Sequence, residues 1–363
     1  MLSKRVSRLE NRQTISAAQA FLIRQITMHP SMRPIDLIKL CYQAVFGAEH
    51  LIRDPAAAQR SFDEEFSRAA AKSAPLYEHI SQERCRVNLS AWKARGLPPA
   101  WLFRMFIGSS TMPSGTAEEF ERLLQVADQL CAFGCAPFSP EDWAAQRSAY
   151  ASGGGAVHHS VMYTAAEHPS YRVVCARFIR LFPLLEKLAQ ASDQTQPQVV
   201  ALDGRAASGK TTMATQLSLI LKSDVVHMDD FFLPVALRTK ARLAEPGGNI
   251  HYERFMQEVL PHISRFEPFS YRRFDCETRD FAGRQEIRAS AWRIVEGAYS
   301  CHPLYGNYAA VKCFCDVECA EQLCRILLRN GEAQRTVFIE RWIPLEERYL
   351  NHFSVLKHAD IVL

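Results

Sequence analysis

No run of this chain approaches the ~18 apolar residues that a bilayer-spanning helix needs, so no membrane role is expected. The opening, MLSKRVSRLENRQ, lacks the apolar segment of a secretory signal. It is Arg-rich and acid-poor, and it is expected to form the first turns of a helical domain, with an organelle transit peptide as the alternative. Neither sign of charge prevails. The 43 Lys+Arg and 39 Asp+Glu leave +4, which gives no argument for a nucleic-acid or membrane-surface partner. The eleven cysteines show no paired C-x₂-C spacing, so a zinc ribbon or a secreted disulfide scaffold is not expected. The close groups Cys131/Cys135 and Cys313, Cys315, Cys319 and Cys324 read as free thiols. Internal repeats and low-complexity tracts are absent. So are N-K-x-D and L-S-G-G-Q, which disfavours a GTPase and a transport ATPase.

What remains is a soluble chain of 363 residues, 48% apolar and 23% charged. At roughly 150 residues per domain, that length suggests two domains. Residues 1–192 read as a mainly α-helical domain of unassigned role. PIDLIKLCYQAVFGAEHLI (34–52) and AEEFERLLQVADQLCAF (117–133) carry apolar residues at helical spacing. RVVCARFIRLFPLLEKLAQ (172–190) reads as a third helix, interrupted at Pro183. FGAEHL (46–51) and AVHHSVMYTAAEHPSYR (156–172) are the least bland stretches of this half. His158, His159, Glu167 and His168 there are candidate metal or phosphate ligands, although loop and cap roles fit their spacing better.

The polar stretch ASDQTQPQ (191–198) reads as a linker. Beyond it, in 193–363, short β-rich runs alternate with helical segments: QVVALDG, DVVHMDD, RIVEGAY, AVKCFCDV and ADIVL. That alternation predicts an α/β domain with a doubly wound parallel sheet.

The first of these runs leads into Gly204-Arg205-Ala206-Ala207-Ser208-Gly209-Lys210-Thr211-Thr212, which matches G-x-x-x-x-G-K-[ST]. Glycines let consecutive N–H groups turn inward on an anion, and the helix that follows adds its positive end. Lys210 offers a cation to β/γ-phosphates and Thr211 a hydroxyl to Mg²⁺. The pattern occurs by chance in about 1% of chains of this length. Here a strand precedes it and a helix follows, so a nucleotide phosphate site is expected.

Two further strands end in acids. Asp229 and Asp230 close VVHMDD, and Glu296 closes RIVE. In a parallel sheet strand C-ends share the P-loop's edge, where a carboxylate can orient a hydroxyl or contribute to Mg²⁺ binding. Cap or turn roles are the blander alternative for each acid. Arg325 and Arg329 lie four apart on a late helix, with Arg335 beyond an Asn-Gly break. Such arginines either neutralise a transferring phosphoryl group or form a solvated face.

The order GRAASGKTT, MDDFF, ERF, VEGAY, an arginine-bearing helix, RWIPLEERY and ADIVL resembles the uridine kinase family of P-loop kinases over about 193–363. The resemblance implies Mg-ATP as donor and a small hydroxyl compound as acceptor. It implies Asp229 as base, Thr211 and Glu296 beside Asp229 on the magnesium side, and Arg325, Arg329 and Arg335 in a lid. Nucleoside kinases of this group carry an aspartate for the ribose diol after DDFF. The stretch PGGNIHYERF (246–255) has none, and offers His251 and Tyr252 instead. Arg272 and Arg273 in YRRFDC (271–276) suit an acceptor that already bears an anion, or a plain surface.

The expectation is therefore a cytoplasmic, ATP- and Mg²⁺-dependent small-molecule kinase. Lys210, Asp229, Arg325 and Arg329 would do the chemistry. Asp230, Tyr252, Arg272 and Arg273 would face the acceptor. Self-association stays open. The alternative is an ATP-sensing switch whose helical half binds a partner.

Overall fold

The computed structural model describes residues 16–48, 52, 54–112, 115–154, 157–191, 195–275, 278 and 280–363. The opening MLSKRVSRLENRQ, the part of FGAEHL beyond Ala48, and Cys276 lie outside these. The chain separates into two compact units, Met1–Ile179 and Arg180–Leu363. The break falls ahead of the polar stretch 191–198, so the helix Phe182–Gln190 goes with the second unit.

The first unit is mostly helical. Pro34–Phe46 and Ala117–Ala132 form the two expected helices. The former stops at Gly47, whose φ of 70° is a helix-ending conformation suited to glycine. The latter starts at Thr116, whose hydroxyl and Glu119 cap each other's backbone. A three-stranded antiparallel sheet also belongs here, built from β1 (Tyr77–His79), β2 (Arg84–Asn88) and β3 (Tyr171–Cys175). This corrects the helix expected over 172–190. Val173 and Val174 are β-branched and sit in register with Arg86 and Cys85 on β2. A 3₁₀ turn, Ala176–Leu181, then leads into the helix Phe182–Gln190. Pro183 occupies that helix's first turn, where its missing N–H costs nothing.

The second unit is a doubly wound α/β fold. Its five strands are β4 (Gln198–Gly204), β5 (Val225–His227), β8 (Trp292–Glu296), β9 (Val311–Cys315) and β10 (Ile361–Val362). All neighbours are parallel, in the order β10-β9-β4-β8-β5. β4 is central and every one of its residues is buried, as an apolar strand covered on both faces must be. The chain leaves β4 for β5 on one side and later crosses to β9 on the other. That puts a topological switch point at the carboxyl end of β4. Between β5 and β8 the chain forms an antiparallel hairpin, β6 (Phe269–Asp275) and β7 (Asp280–Ile287). No helix among the described residues is long and apolar enough to cross a membrane.

Candidate active site

β4 delivers the chain to the P-loop at Gly204. Its φ is 129°, and a Cβ there would lie 2.1 Å from the carbonyl oxygen of Cys315 on β9. Only glycine lets the two strands run this close. Gly209, with φ of 96°, turns the loop into the helix Lys210–Leu221. The helix N-terminus and loop amides then face a cleft of about 1200 Å³. Ala206, Ala207, Gly209, Lys210, Thr211 and Thr212 line it. Ser208 is buried, and among the described residues its hydroxyl has no hydrogen-bond partner. Lys210 is turned onto the loop, where its Nζ donates to Gly204 O (2.9 Å) and Arg205 O (2.7 Å).

The strand-end acids divide. Asp229 and Asp230 sit in a 3₁₀ turn, Met228–Phe231, directly after β5. Asp229 opens onto the cleft. Its own surface is exposed to the cleft, and partial desolvation by the cleft walls, with the like charge of Glu296, raises its carboxyl above the ordinary value. Lys210 and His227 oppose that rise. Asp230 is buried and looks elsewhere. Its Oδ2 accepts from the buried Tyr271 hydroxyl (2.9 Å), and Arg273 Nε lies 3.5 Å from Oδ1. Glu296 caps β8 on the cleft wall, with Thr211 Oγ1 at 3.3 and 3.4 Å from its two oxygens. His227 Nδ1 pairs with Glu296 Oε1 at 2.6 Å, which raises the imidazole's pKa.

Among the described residues no group of three or more His, Cys, Asp and Glu can hold a metal by itself. The histidine-rich stretch is scattered accordingly. His159 bridges Asp36 (3.0 Å) and the Tyr171 hydroxyl (2.6 Å), Glu167 binds Ser31 (2.5 Å), and His168 caps a helix in left-handed conformation. Mg²⁺, however, commonly takes one or two carboxylates and completes its shell with phosphates and water. The Thr211 hydroxyl with Glu296 and Asp229 on one cleft wall suits that mode.

The late helix, Cys319–Val337, brings Arg325 and Arg329 to the cleft. Arg325 Nη1 donates to Ala207 O in the P-loop (3.0 Å). Gly331 breaks the helix with non-helical dihedrals, and Arg335 beyond it pairs with Glu332 (2.7 Å), off the cleft wall. A π-helical turn, Phe338–Trp342, and the helix Ile343–His352 follow and continue the cleft wall, in the region expected to form a lid.

The other acceptor candidates lie apart from the cleft lining. Arg272 pairs with Glu258 (2.6 Å), and Tyr252 lies under Arg242, 3.7 Å from ring centre to guanidinium. Residues not singled out in the sequence take their places. Arg180, Arg238, Asn249, Arg341, Trp342 and Glu346 all line the cleft. Arg341 stacks on Trp342 at 4.8 Å, and Asn249, whose side chain hydrogen-bonds Tyr299, keeps a buried Oδ1 that has no partner among the described residues. Asp203, just ahead of Gly204, is buried and accepts from the Gly204, Tyr299 and Cys301 amides and from the Tyr349 hydroxyl. It ties the P-loop, the segment after β8 and the lid helix together. An acid directly before the first glycine was the available signal.

No protein-family model and no curated protein matches the chain. Among solved structures, it is similar to a possible uridine kinase from Bacillus stearothermophilus, at 21% identity and a TM-score of 0.41. The match covers 52% of this chain and 99% of that one. It is also similar to a proposed fructose transport system kinase from Silicibacter sp. TM1040, at 22% identity and a TM-score of 0.41, over 50% of this chain and 97% of that one. Likeness at this level does not bear on what the chain acts on.

Proposed function

We propose that the second unit binds Mg-ATP and transfers its γ-phosphoryl group to a hydroxyl of a small molecule. One observation carries this reading: Lys210, Thr211, Asp229, Glu296, Arg325 and Arg329 line one cleft at the carboxyl edge of the sheet. Lys210 leaves its two loop carbonyls for the β/γ-phosphates. Arg325 and Arg329 neutralise charge on the moving group. Asp229 holds the acceptor hydroxyl and takes its proton as the new O–P bond forms and the bond from the γ-phosphorus to the bridging oxygen breaks, with ADP leaving. Thr211, Glu296 and Asp229 would hold Mg²⁺, which would supply charge neutralisation to the phosphates. A cytoplasmic location accords with ATP as donor.

The test is ADP release by the purified chain with and without a panel of neutral and anionic small alcohols. Acceptor-dependent release is expected, and Lys210→Ala should abolish it. Turnover unchanged in Lys210→Ala sinks the assignment.

A nucleotide-sensing switch is the second reading, favoured by the lid's grip on the P-loop. Arg205 pairs with Glu347 (2.8 Å), and Gln322 Nε2 donates to Ala206 O (3.0 Å). ATP binding without release of ADP for any acceptor would favour it.

A further inference from the structure

The third residue of the P-loop carries a bond for which phosphate binding has no use. Ala206 N–H donates to Glu346 Oε2 at 2.7 Å, and Glu346 is buried in the cleft wall. The carbonyl of that same peptide, Arg205 O, accepts from Lys210 Nζ at 2.7 Å. A single peptide unit therefore lies between the P-loop's cation and the lid's anion. The lysine of such a loop serves the β/γ-phosphates, so the Ala206 amide belongs to that end of the cradle. Carboxylate and phosphate oxygens are both anionic acceptors, and one N–H serves only one of them well. The helix Ile343–His352 holds the carboxylate in place, because the neighbouring Glu347 is anchored to Arg205. Burial pushes the Glu346 carboxyl up to about 7, against the pull of Lys210 and of the Ala206 amide.

We propose that Glu346 is an internal competitor for the terminal phosphate. Its carboxylate occupies the Ala206 amide and weights the site against a nucleoside triphosphate relative to a diphosphate. This rests on the nucleotide reading of the same cleft. A diphosphate leaves the far end of the cradle to Glu346. A triphosphate brings a second anion there, so Glu346 must withdraw, and the helix that carries it must shift. The terminal phosphate is thereby coupled to the base of the lid.

The experiment is calorimetric titration of the full chain with Mg-ATP and with Mg-ADP, in wild type, Glu346→Gln and Glu346→Ala. Gln keeps the shape and removes the charge, Ala removes the group, and thermal melts establish that each variant is folded. A hydrogen bond to a charged group sets the scale. ATP should bind about ten-fold tighter or more in both variants, with ADP within about two-fold of wild type. An ATP:ADP affinity ratio unchanged in both variants overturns the proposal, and so does selective loss of ATP affinity. If wild type binds neither nucleotide, the nucleotide reading falls and takes this inference with it. If wild type binds both and only the ratio fails to move, the inference alone is lost.

Discussion

Asp229 and Asp230 are adjacent carboxylates in one turn, yet the structure places them in different surroundings, and the pair offers a sharp test of the proposed roles. Asp229→Asn keeps the shape and removes the proton acceptor from the cleft. A positioned general base contributes about 10²–10⁴-fold, so kcat should fall by that factor. ATP affinity should move far less, because the loop amides and Lys210 supply most of the phosphate grip. Asp230→Asn leaves an oxygen to accept from the Tyr271 hydroxyl (2.9 Å). It loses the ion pair with the half-exposed Arg273 (3.5 Å), worth about 0.2–1 kcal/mol for an exposed pair. That cost belongs to stability, with kcat within a few-fold of wild type. The pH profile adds a sign. Asp229 must be ionised to act and its carboxyl is raised in the metal-free chain, so kcat/KM, which reports the free enzyme, should fall with decreasing pH on a limb above 3.8. The raised carboxyl also binds its proton more tightly in the folded state than in the unfolded state. Its ionisation therefore costs stability as pH rises through the folded pKa, and Asp229→Asn should melt at or above the wild-type temperature near neutral pH. Steady-state assays of both variants, once an acceptor is known, beside thermal melts, decide the matter. A dead Asp230→Asn with a near-normal Asp229→Asn refutes the division of labour. Near-normal activity in both refutes Asp229 as base.

Gly204→Ala forces a Cβ to within 2.1 Å of Cys315 O at a φ of 129°. Overpacking at about 1–3 kcal/mol and left-handed backbone strain at about 1–2 kcal/mol together predict a loss of about 2–5 kcal/mol. Denaturant midpoints check it, and a loss below about 1 kcal/mol contradicts the close approach of β4 and β9. Glu258 is the acid-sensitive joint: burial would raise its carboxyl, but hydrogen bonds from Arg254 and Arg272 outweigh burial and hold it at about 2. Its stabilising contribution is full above 4.5 and is lost as pH falls from there through about 2. Glu258→Gln should lower the melting temperature at neutral pH and flatten the acid limb, and an acid limb as steep as wild type refutes the assignment. Arg254 also donates to Asp230 O (3.1 Å), so the same change should loosen the turn that carries Asp229.

The parallel sheet was legible because its strands announce themselves locally. QVVALDG has an apolar centre, Val199–Leu202, because it is covered on both faces, and the P-loop motif that follows it marks a strand end. The strands that escaped have no such local signal. β3 reads as a helix because RVVCARFIRLF spaces its apolar residues ambiguously. Its partner β2 lies far upstream at Arg84–Asn88, and only that pairing makes it a strand. β7 is exposed along nearly its whole length, so it shows no alternation of apolar and polar residues. It forms because β6 offers it a register, from Phe269 opposite Ile287 to Asp275 opposite Asp280.

The site divides along the same line. Lys210, Thr211, Asp229 and Glu296 were readable because a motif or a strand end fixes where each must point. Arg272 carried the right charge, but Glu258 on a neighbouring helix already takes it up. Charge type alone does not reveal a partner. Glu346 was the hardest to see. In PLEERY it reads as one more acid on a solvated helix, and its distance from the P-loop in sequence, 140 residues, hides the contact. Its meaning comes from Lys210 on the other side of the same peptide. The lysine draws on the Arg205 carbonyl and the glutamate on the Ala206 N–H, so each bond polarises the peptide in the sense that strengthens the other. A phosphate that captures the lysine weakens the glutamate's hold as well as competing for the amide. The motif therefore accounts for the capture of phosphate. On the proposal above, the lid would sense the last phosphate through Glu346, a residue that no motif marks.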